Sequence, residues 1–293
     1  MRVLVVYCRD NRRASLAADR LCSQLDERGV GYEAMFLEEL PDCSQVLGPS
    51  PDILLDSRLE KPFRLIAVLG GDGSVLRTAR LAVLLGTPVL GLNYGHLGFL
   101  SCSGDESDIS LVESALAGEC QVEQLPCLEI ELSRGDEGSS CQRLFALNDV
   151  AVNRGPSMNI MEYGLGVSGC HLATLRGDGV VVASSTGSTA YALSAGGPVV
   201  APGNRGLLVV PVAAHTMASR PVVTGPDDWV EVDLDPWGEG PQEGLSVQVD
   251  GELQDLGPGA RRLLVRNCPF SVGLLRCGGE GFYERVSTVF LKQ

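Results

Sequence analysis

Over roughly the first 120 residues, short apolar runs alternate with stretches whose apolar positions recur at helical spacing. Arg2–Tyr7 (R-V-L-V-V-Y) is apolar at consecutive positions, as a strand buried on both faces of a parallel sheet must be. Ala14, Ala17, Ala18, Leu21 and Leu25 then share one helical face, and Gly29 supplies a C-terminal stop. Leu65–Leu69 predicts a second buried strand, followed by G-G-D-G and a helical pattern through Val75, Leu76, Ala79 and Val83. Pro88–Leu92 predicts a further strand, and Ile109, Val112 and Leu116 mark a helix with a polar face. Alternation of this kind predicts a parallel sheet covered by helices.

After Pro126 the period becomes two. L-E-I-E-L at 128–132, V-E-V-D-L at 230–234 and L-S-V-Q-V-D at 245–250 alternate cleanly, with Gly-rich connections at 133–139 and 236–244. This half predicts a mostly antiparallel β domain, with the boundary near residue 125 and no internal repeat.

Composition narrows the picture. A chain of 293 residues is long for one hydrophobic core, and 44% hydrophobic with 20% charged residues describes a soluble globular protein. No apolar stretch reaches the roughly 20 residues that span a bilayer, and the N-terminal run is too short for a signal peptide. A net charge of −14 argues against bulk binding to nucleic acid or an anionic membrane, though not against small anions held in a cleft. Ten cysteines lie scattered without a C-x-x-C, which predicts reduced, mostly buried thiols in a cytoplasmic protein rather than a zinc site or a disulfide framework.

The candidate chemistry begins at Gly70-Gly71-Asp72-Gly73-Ser74, at a strand-to-helix turn where open α/β sheets bind ligands. Glycines there admit an anion to the backbone. Asp72 itself would repel phosphate, so it reads either as the acceptor of a substrate hydroxyl proton or metal anchor, or as a plain N-cap. There is no G-x-x-x-x-G-K-[ST], and Lys61 and Lys292, the only lysines, are far from any glycine loop. Gly164, Gly166 and Gly169 form a G-x-G-x-x-G, but in an alternating stretch with no helix after it, so they predict a strand bend. N-Y-G-H-L-G-F-L at 93–100 closes a strand and carries Phe99, either a core residue or a flat wall for a base. In L-N-D-V-A-V-N at 147–153, Asn148 and Asp149 fall together in an apolar strand, so at least one faces a core, cleft or interface. R-G-D-G-V-V-V-A-S-S-T-G-S-T-A-Y-A-L-S-A-G-G-P at 176–198 runs from a buried strand into hydroxyls and small residues, a stretch suited to a ligand approaching backbone. His96, His171 and His215 are too dispersed for a metal triad, and no G-x-S-x-G elbow exists.

Taken in order, G-G-D-G-S, N-Y-G-H-L-G-F-L, N-D-V, R-G-D-G, T-G-S-T-A-Y-A-L-S-A-G-G-P and P-V-A-A-H-T-M-A-S-R-P-V-V at 211–223 resemble the NAD kinase family. The resemblance implies a Rossmann-like α/β domain at 1–125, a β-sandwich-like dinucleotide-binding domain at 126–275, and a segment 276–293 packing back on the first. It implies an active site between the domains and phosphoryl transfer from ATP or polyphosphate to the 2′-hydroxyl of the adenosine ribose of NAD. Asp72 would accept the proton, Gly70, Gly71, Gly73 and Ser74 would cradle phosphate, and Arg77 would lie near it. Phe99, Asn148 and Asp149 would hold the dinucleotide. Arg176 and Asp178 would add contacts, from a neighbouring subunit of a homodimer or homotetramer. Thr189, Ala190, Tyr191, Ala192, Leu193 and Ser194 would line the base pockets. No fixed protein ligand to metal is implied; Mg²⁺ would come with the substrate phosphates. Ser74 stands where the family usually has Thr, Asp149 where Glu is common, Ser184-Ser185-Thr186 lacks a frequent proline, and Glu252 replaces a frequent Gln. A lipid kinase sharing G-G-D-G and a non-catalytic NAD(P) sensor are the alternative readings.

Overall fold

The computed structural model describes residues 2–41, 57–59, 62–96, 98–102, 107–134, 141–156, 158–216, 219–238, 244–254, 259–278 and 281–291. Lys61, Lys292 and parts of the Gly-rich connections at 133–139 and 236–244 lie outside the described residues. In chain order the elements are β1 (Arg2–Tyr7), α1 (Arg12–Glu27), β2 (Gly31–Phe36), β3 (Leu65–Gly70), α2 (Asp72–Leu85), β4 (Val89–Asn93), α3 (Asp108–Ala117) and β5 (Gln121–Arg134). Then follow β6 (Cys141–Ala146), β7 (Asp149–Arg154), β8 (Met161–Val167), β9 (Cys170–Gly177), β10 (Gly179–Ala183) and α4 (Tyr191–Ser194). The chain continues with β11 (Leu208–Val212), β12 (Val222–Val223), β13 (Trp229–Asp233), β14 (Leu245–Val249), β15 (Glu252–Gln254), β16 (Ala260–Arg276) and α5 (Phe282–Val286). Two compact units result: one takes the described residues up to Leu125 and from Ser271 onward, the other Pro126–Phe270.

In the first unit β2, β1, β3 and β4 lie side by side and parallel, with the end of β16 parallel to β4 at Leu274 and Val89. Val3, Val5, Leu65, Ala67, Leu69 and Leu90 share a core with Ala14, Ala17, Leu21 and Leu25 of α1 and Ile109 and Val112 of α3. The alternate residues Leu4, Val6, Ile66 and Val68 are buried as well, and α2 packs against β3 and β4. Burial on both faces is why these strands read as continuous apolar runs. Asn11 caps α1 by accepting from the Ala14 N–H, and Gly29 leaves it at positive φ, the left-handed turn that glycine adopts without strain.

The second unit is antiparallel. β12, β11, β10, β7, β14 and β15 form one sheet in that order. β16, β13, β8 and β9 form the other, and β5 pairs with β6 and β16. Alternate residues of both sheets, among them Val150, Val182 and Val247 on one side and Ile130, Tyr163, Val232 and Leu263 on the other, meet in one core. The other face of the β7–β10–β11 sheet is covered where Ala192 of α4 and Val200 pack on Ala151, Val181, Ala183 and Val210. Gly164, Gly166 and Gly169 belong to the β8–β9 hairpin, with an irregularity at Leu165/Gly166 and a turn at Ser168–Gly169.

One expectation is corrected. Cys120 and Cys277 form a disulfide, their Cα atoms 4.4 Å apart. They are separated by 157 residues, and only the folding of β5 and β16 brings them together, so spacing along the chain does not reveal the pair. No helix among the described residues is long and apolar enough to cross a membrane.

Candidate active site

In the first unit the apolar run of β3 ends at Gly70, and α2 begins at once. Gly71 occupies the N-cap without a side-chain bond, so Asp72 is the first helical residue and not the cap. Its carboxylate turns away from its own helix. Oδ2 accepts the Phe99 N–H at 2.6 Å and Oδ1 accepts the Leu100 N–H at 3.0 Å. A Cβ built on Gly98 would fall within the Asp72 carboxyl group, so only glycine lets this segment come so close. A Cβ on Gly95 would come within 3.2 Å of Gly71 Cα. Gly73 is different: it is exposed, lacks a positive φ, and a Cβ there would meet nothing within 4 Å. Internal packing therefore does not require glycine at the helix start, where backbone N–H groups and the helix dipole favour an anion.

Ser74 lies beside Gly70, and its carbonyl accepts from Thr78 Oγ1 at 2.8 Å. Arg77 is exposed on α2, within electrostatic reach of Glu38. Phe99 stacks on Phe290 at 5.4 Å between centroids and meets Phe282 at 5.8 Å. With Phe282, Glu123, Arg276 and Arg285 it lines a cavity of about 360 Å³. Buried Arg285 donates to the Gly98 carbonyl at 3.3 Å, so the C-terminal segment props the chain that holds Asp72.

In the second unit Asn148 stands just before β7, in a bend, and Asp149 is the first residue of the strand. The expectation that both lie inside a strand is thus met by Asp149 alone. Asp250, in the β14–β15 turn, holds this bend. Its Oδ2 accepts the Leu147 N–H at 2.9 Å, and its Oδ1 accepts those of Asn148 at 2.7 Å and Asp149 at 3.2 Å. In return the Asp250 N–H donates to the Asp149 carbonyl at 2.9 Å. From the other side the buried Ser184 donates its hydroxyl to the Leu147 carbonyl at 2.6 Å and its N–H to the Asn148 carbonyl at 2.8 Å. A Cβ on Gly187 would overlap that Asn148 carbonyl, so the two segments touch backbone to backbone.

What the bend presents is unsatisfied. Asn148 Oδ1 and Thr186 Oγ1 are buried without a hydrogen-bond partner. Asp149 is only 5% exposed, and among the described residues nothing donates to its carboxyl group. Burial, and secondarily the charge of Asp250, push its pKa up to about 7. Orphaned polar groups in one place are what a polar ligand would satisfy.

Around them, Thr189 Oγ1 donates to the Thr186 carbonyl at 3.2 Å and the Ala190 N–H to that of Gly187 at 2.9 Å. Tyr191 is exposed, its hydroxyl donating to Asn153 Oδ1 at 3.3 Å. Ala192 is fully buried, Leu193 half-buried and Ser194 exposed. Arg176 is ion-paired with Glu162 at 2.8 Å, and Asp178 with Arg154 at 2.6 Å. Sequence reasoning did not assign Asp250 or Ser184 a role. The D-G of Asp250-Gly251 marks a hairpin turn, but its carboxylate acts on residues more than a hundred positions away. Among the described residues no three His, Cys, Asp or Glu side chains converge to hold a metal ion.

The model of the ATP-NAD kinase N-terminal domain matches residues 6–119, and that of the C-terminal domain matches 147–276. An NAD kinase of Gemmatimonas aurantiaca is 39% identical over 228 residues, 78% of this chain and 77% of its own. One of Mycobacterium bovis is 34% identical over 297 aligned positions, 98% and 95% of the two chains. Among solved structures, an NAD kinase from Archaeoglobus fulgidus in complex with ATP superposes with a TM-score of 0.71 at 25% identity, over 99% of this chain and 97% of that one. A yeast NADH kinase complexed with NADH shares the fold, with a TM-score of 0.80 at 21% identity, over 100% and 89%. The lipid-kinase and sensor readings find no support in these likenesses. By both halves of its sequence and by its fold, this chain belongs to the NAD kinase family.

Proposed function

We propose that this chain is an NAD kinase, transferring the terminal phosphoryl group of ATP to the 2′-hydroxyl of the adenosine ribose of NAD to give NADP. Family membership supports the reaction, as do the ATP bound by the Archaeoglobus relative and the NADH bound by the yeast one. The observation that carries the residue assignment is Asp72, a carboxylate held by two backbone N–H groups beside an open glycine turn.

In this reading the glycine turn and the start of α2 receive the donor's phosphates. The ribose 2′-hydroxyl approaches Asp72, whose oxygens keep lone pairs beyond those engaged by Phe99 and Leu100. As the bond from the 2′-oxygen to the terminal phosphorus forms, the bond to the leaving phosphate breaks, ADP departs, and the hydroxyl proton passes to Asp72. The two N–H bonds fix the carboxylate's orientation before substrate arrives, which is the chain's main contribution where positioning dominates catalysis. In the second unit Asn148, Asp149 and Thr186 offer partners to the dinucleotide, and Tyr191 an exposed ring. A divalent cation would come with the nucleotide's phosphates, where it would neutralise their charge. Homo-oligomeric assembly is supported by β9, an edge strand with an exposed Leu172.

The test is NADP formation from NAD, ATP and Mg²⁺, with Asp72→Asn alongside, and polyphosphate as a second donor arm. We expect turnover by the wild type and a rate lower by at least about a hundredfold in the variant, the lower end of general-base contributions, with NAD still bound. Equal rates would remove Asp72 from the mechanism. No NADP with either donor would overturn the kinase reading.

A further inference from the structure

The three N–H bonds to Asp250 have a chemical consequence for the residue beside them. A buried carboxyl group is usually held ionised by donors, most often backbone N–H groups. At the bend 147–149 every such donor is taken by Asp250, including the N–H of Asp149 itself. Asp149 is left with a buried side chain and a second carboxyl group as neighbour. Its neighbours add no cation. Ala183 of β10 lies opposite it, Ser184 bonds to the same bend from the end of β10, and Val249 ends β14 just before Asp250. Among the described residues Asp250 is the one charge that acts on it.

We infer that Asp250 is a positioning residue of the dinucleotide site: it fixes the bend that presents Asn148 and Asp149, and, together with burial, it makes Asp149 enter the complex as a neutral acid. The inference rests on the reading of this bend as part of the NAD site. A neutral carboxyl group carries one O–H donor and one acceptor side by side, whereas the ionised form only accepts. It therefore matches a ligand edge that offers an acceptor next to a donor, such as a carboxamide or an aminopurine. NAD carries both. It also adds no negative charge beside a ligand that brings its own. The pKa near 7 that follows from burial and from Asp250 puts the change of state at neutral pH.

Two measurements test this and separate it from the function reading. The first needs no ligand: a carbon-13 NMR titration of the carboxyl groups of the free chain, with the Asp149 signal assigned by its loss in Asp149→Asn. A midpoint near 7 that falls by a pH unit or more in Asp250→Asn supports the inference; an ordinary carboxylate midpoint in the wild type overturns it. The second is NAD affinity by calorimetry between pH 5 and 8. The wild type should bind about tenfold more weakly at pH 8 than at pH 6, as one proton per site dictates above a midpoint near 7. Asp149→Asn, neutral throughout, should bind with no such dependence. Asp250→Asn should bind at least about fivefold more weakly than wild type at pH 7 and recover toward it at pH 5. A merely structural role for Asp250 would weaken binding equally at every pH and would overturn the charge assignment. Affinity that rises with pH would show Asp149 acting ionised and would overturn it too. If the free chain titrates as expected but NAD binds at no pH, the fault lies with the placement of NAD and not with the coupling of the two carboxyl groups.

Discussion

Asp149 is unusual in that its environment works against its charge, and this has a cost that can be read without any ligand. Its folded-state pKa, about 7, lies above the ordinary value of 3.8. A group raised in this way stabilises the fold relative to the ionised state only while it is protonated. Its contribution is complete below the unfolded pKa and is lost as pH rises from about 4 through 7. Three pH units at 1.36 kcal/mol each make the loss of order 4 kcal/mol above pH 7. Asp149→Asn removes the ionisation while keeping size and a donor–acceptor pair. Denaturant melts should therefore find the variant and the wild type similar at pH 3 and the variant several kcal/mol more stable at pH 8. Equal stability at both pH values would mean that the site admits enough water to ionise freely.

At the level of elements, the glycines divide by what stands next to them. At Gly187 a Cβ would strike the Asn148 carbonyl, where the turn before α4 meets the bend before β7, and neither backbone can move without losing the Ser184 bonds. Gly187→Ala should cost about 1–3 kcal/mol in a melt, the range for overpacking. At Gly73 a Cβ meets open space at the start of α2. Gly73→Ala should leave stability unchanged or raise it by about 0.5–1 kcal/mol, yet it should raise the KM for ATP, because the side chain occupies the approach to the turn. A melt and a KM measured on each variant check the contrast. The same division explains what could be read in the sequence. Both-face burial made β1, β3 and β10 legible as apolar runs, and one-face burial made β13 and β14 legible as alternation. The turn of Gly70–Ser74 was legible because strand and helix signals adjoin it. The work of Asp250 was not, since a D-G pair announces only a local turn and its carboxylate bonds to residues 101 to 103 positions away. Nor was it visible that Asn148 precedes its strand, because the bend is imposed by Asp250 and Ser184 and not by local propensity.

For the molecule as a whole, the disulfide sits at a telling point of the connectivity. The chain leaves the first unit after Leu125 and returns at Ser271, and Cys120 and Cys277 lie just outside those two crossings. The loop they close therefore contains the entire second unit. For a chain that unfolds in one step, closing 157 residues would stabilise by about 5 kcal/mol, the upper end for such bonds. The second unit has a core of its own, however, and within it β5 and β16 pair, so while it stays folded the two ends of the loop are already near each other. The bond then removes little freedom from a partly unfolded chain. This predicts two transitions in scanning calorimetry, of which only that of the first unit moves when reductant is added, and by about 2 kcal/mol, the low end of the usual range. Cys277→Ser should reproduce the reduced profile and no longer respond to reductant. A single transition that shifts by the full loop-closure amount would instead show that the two units melt as one.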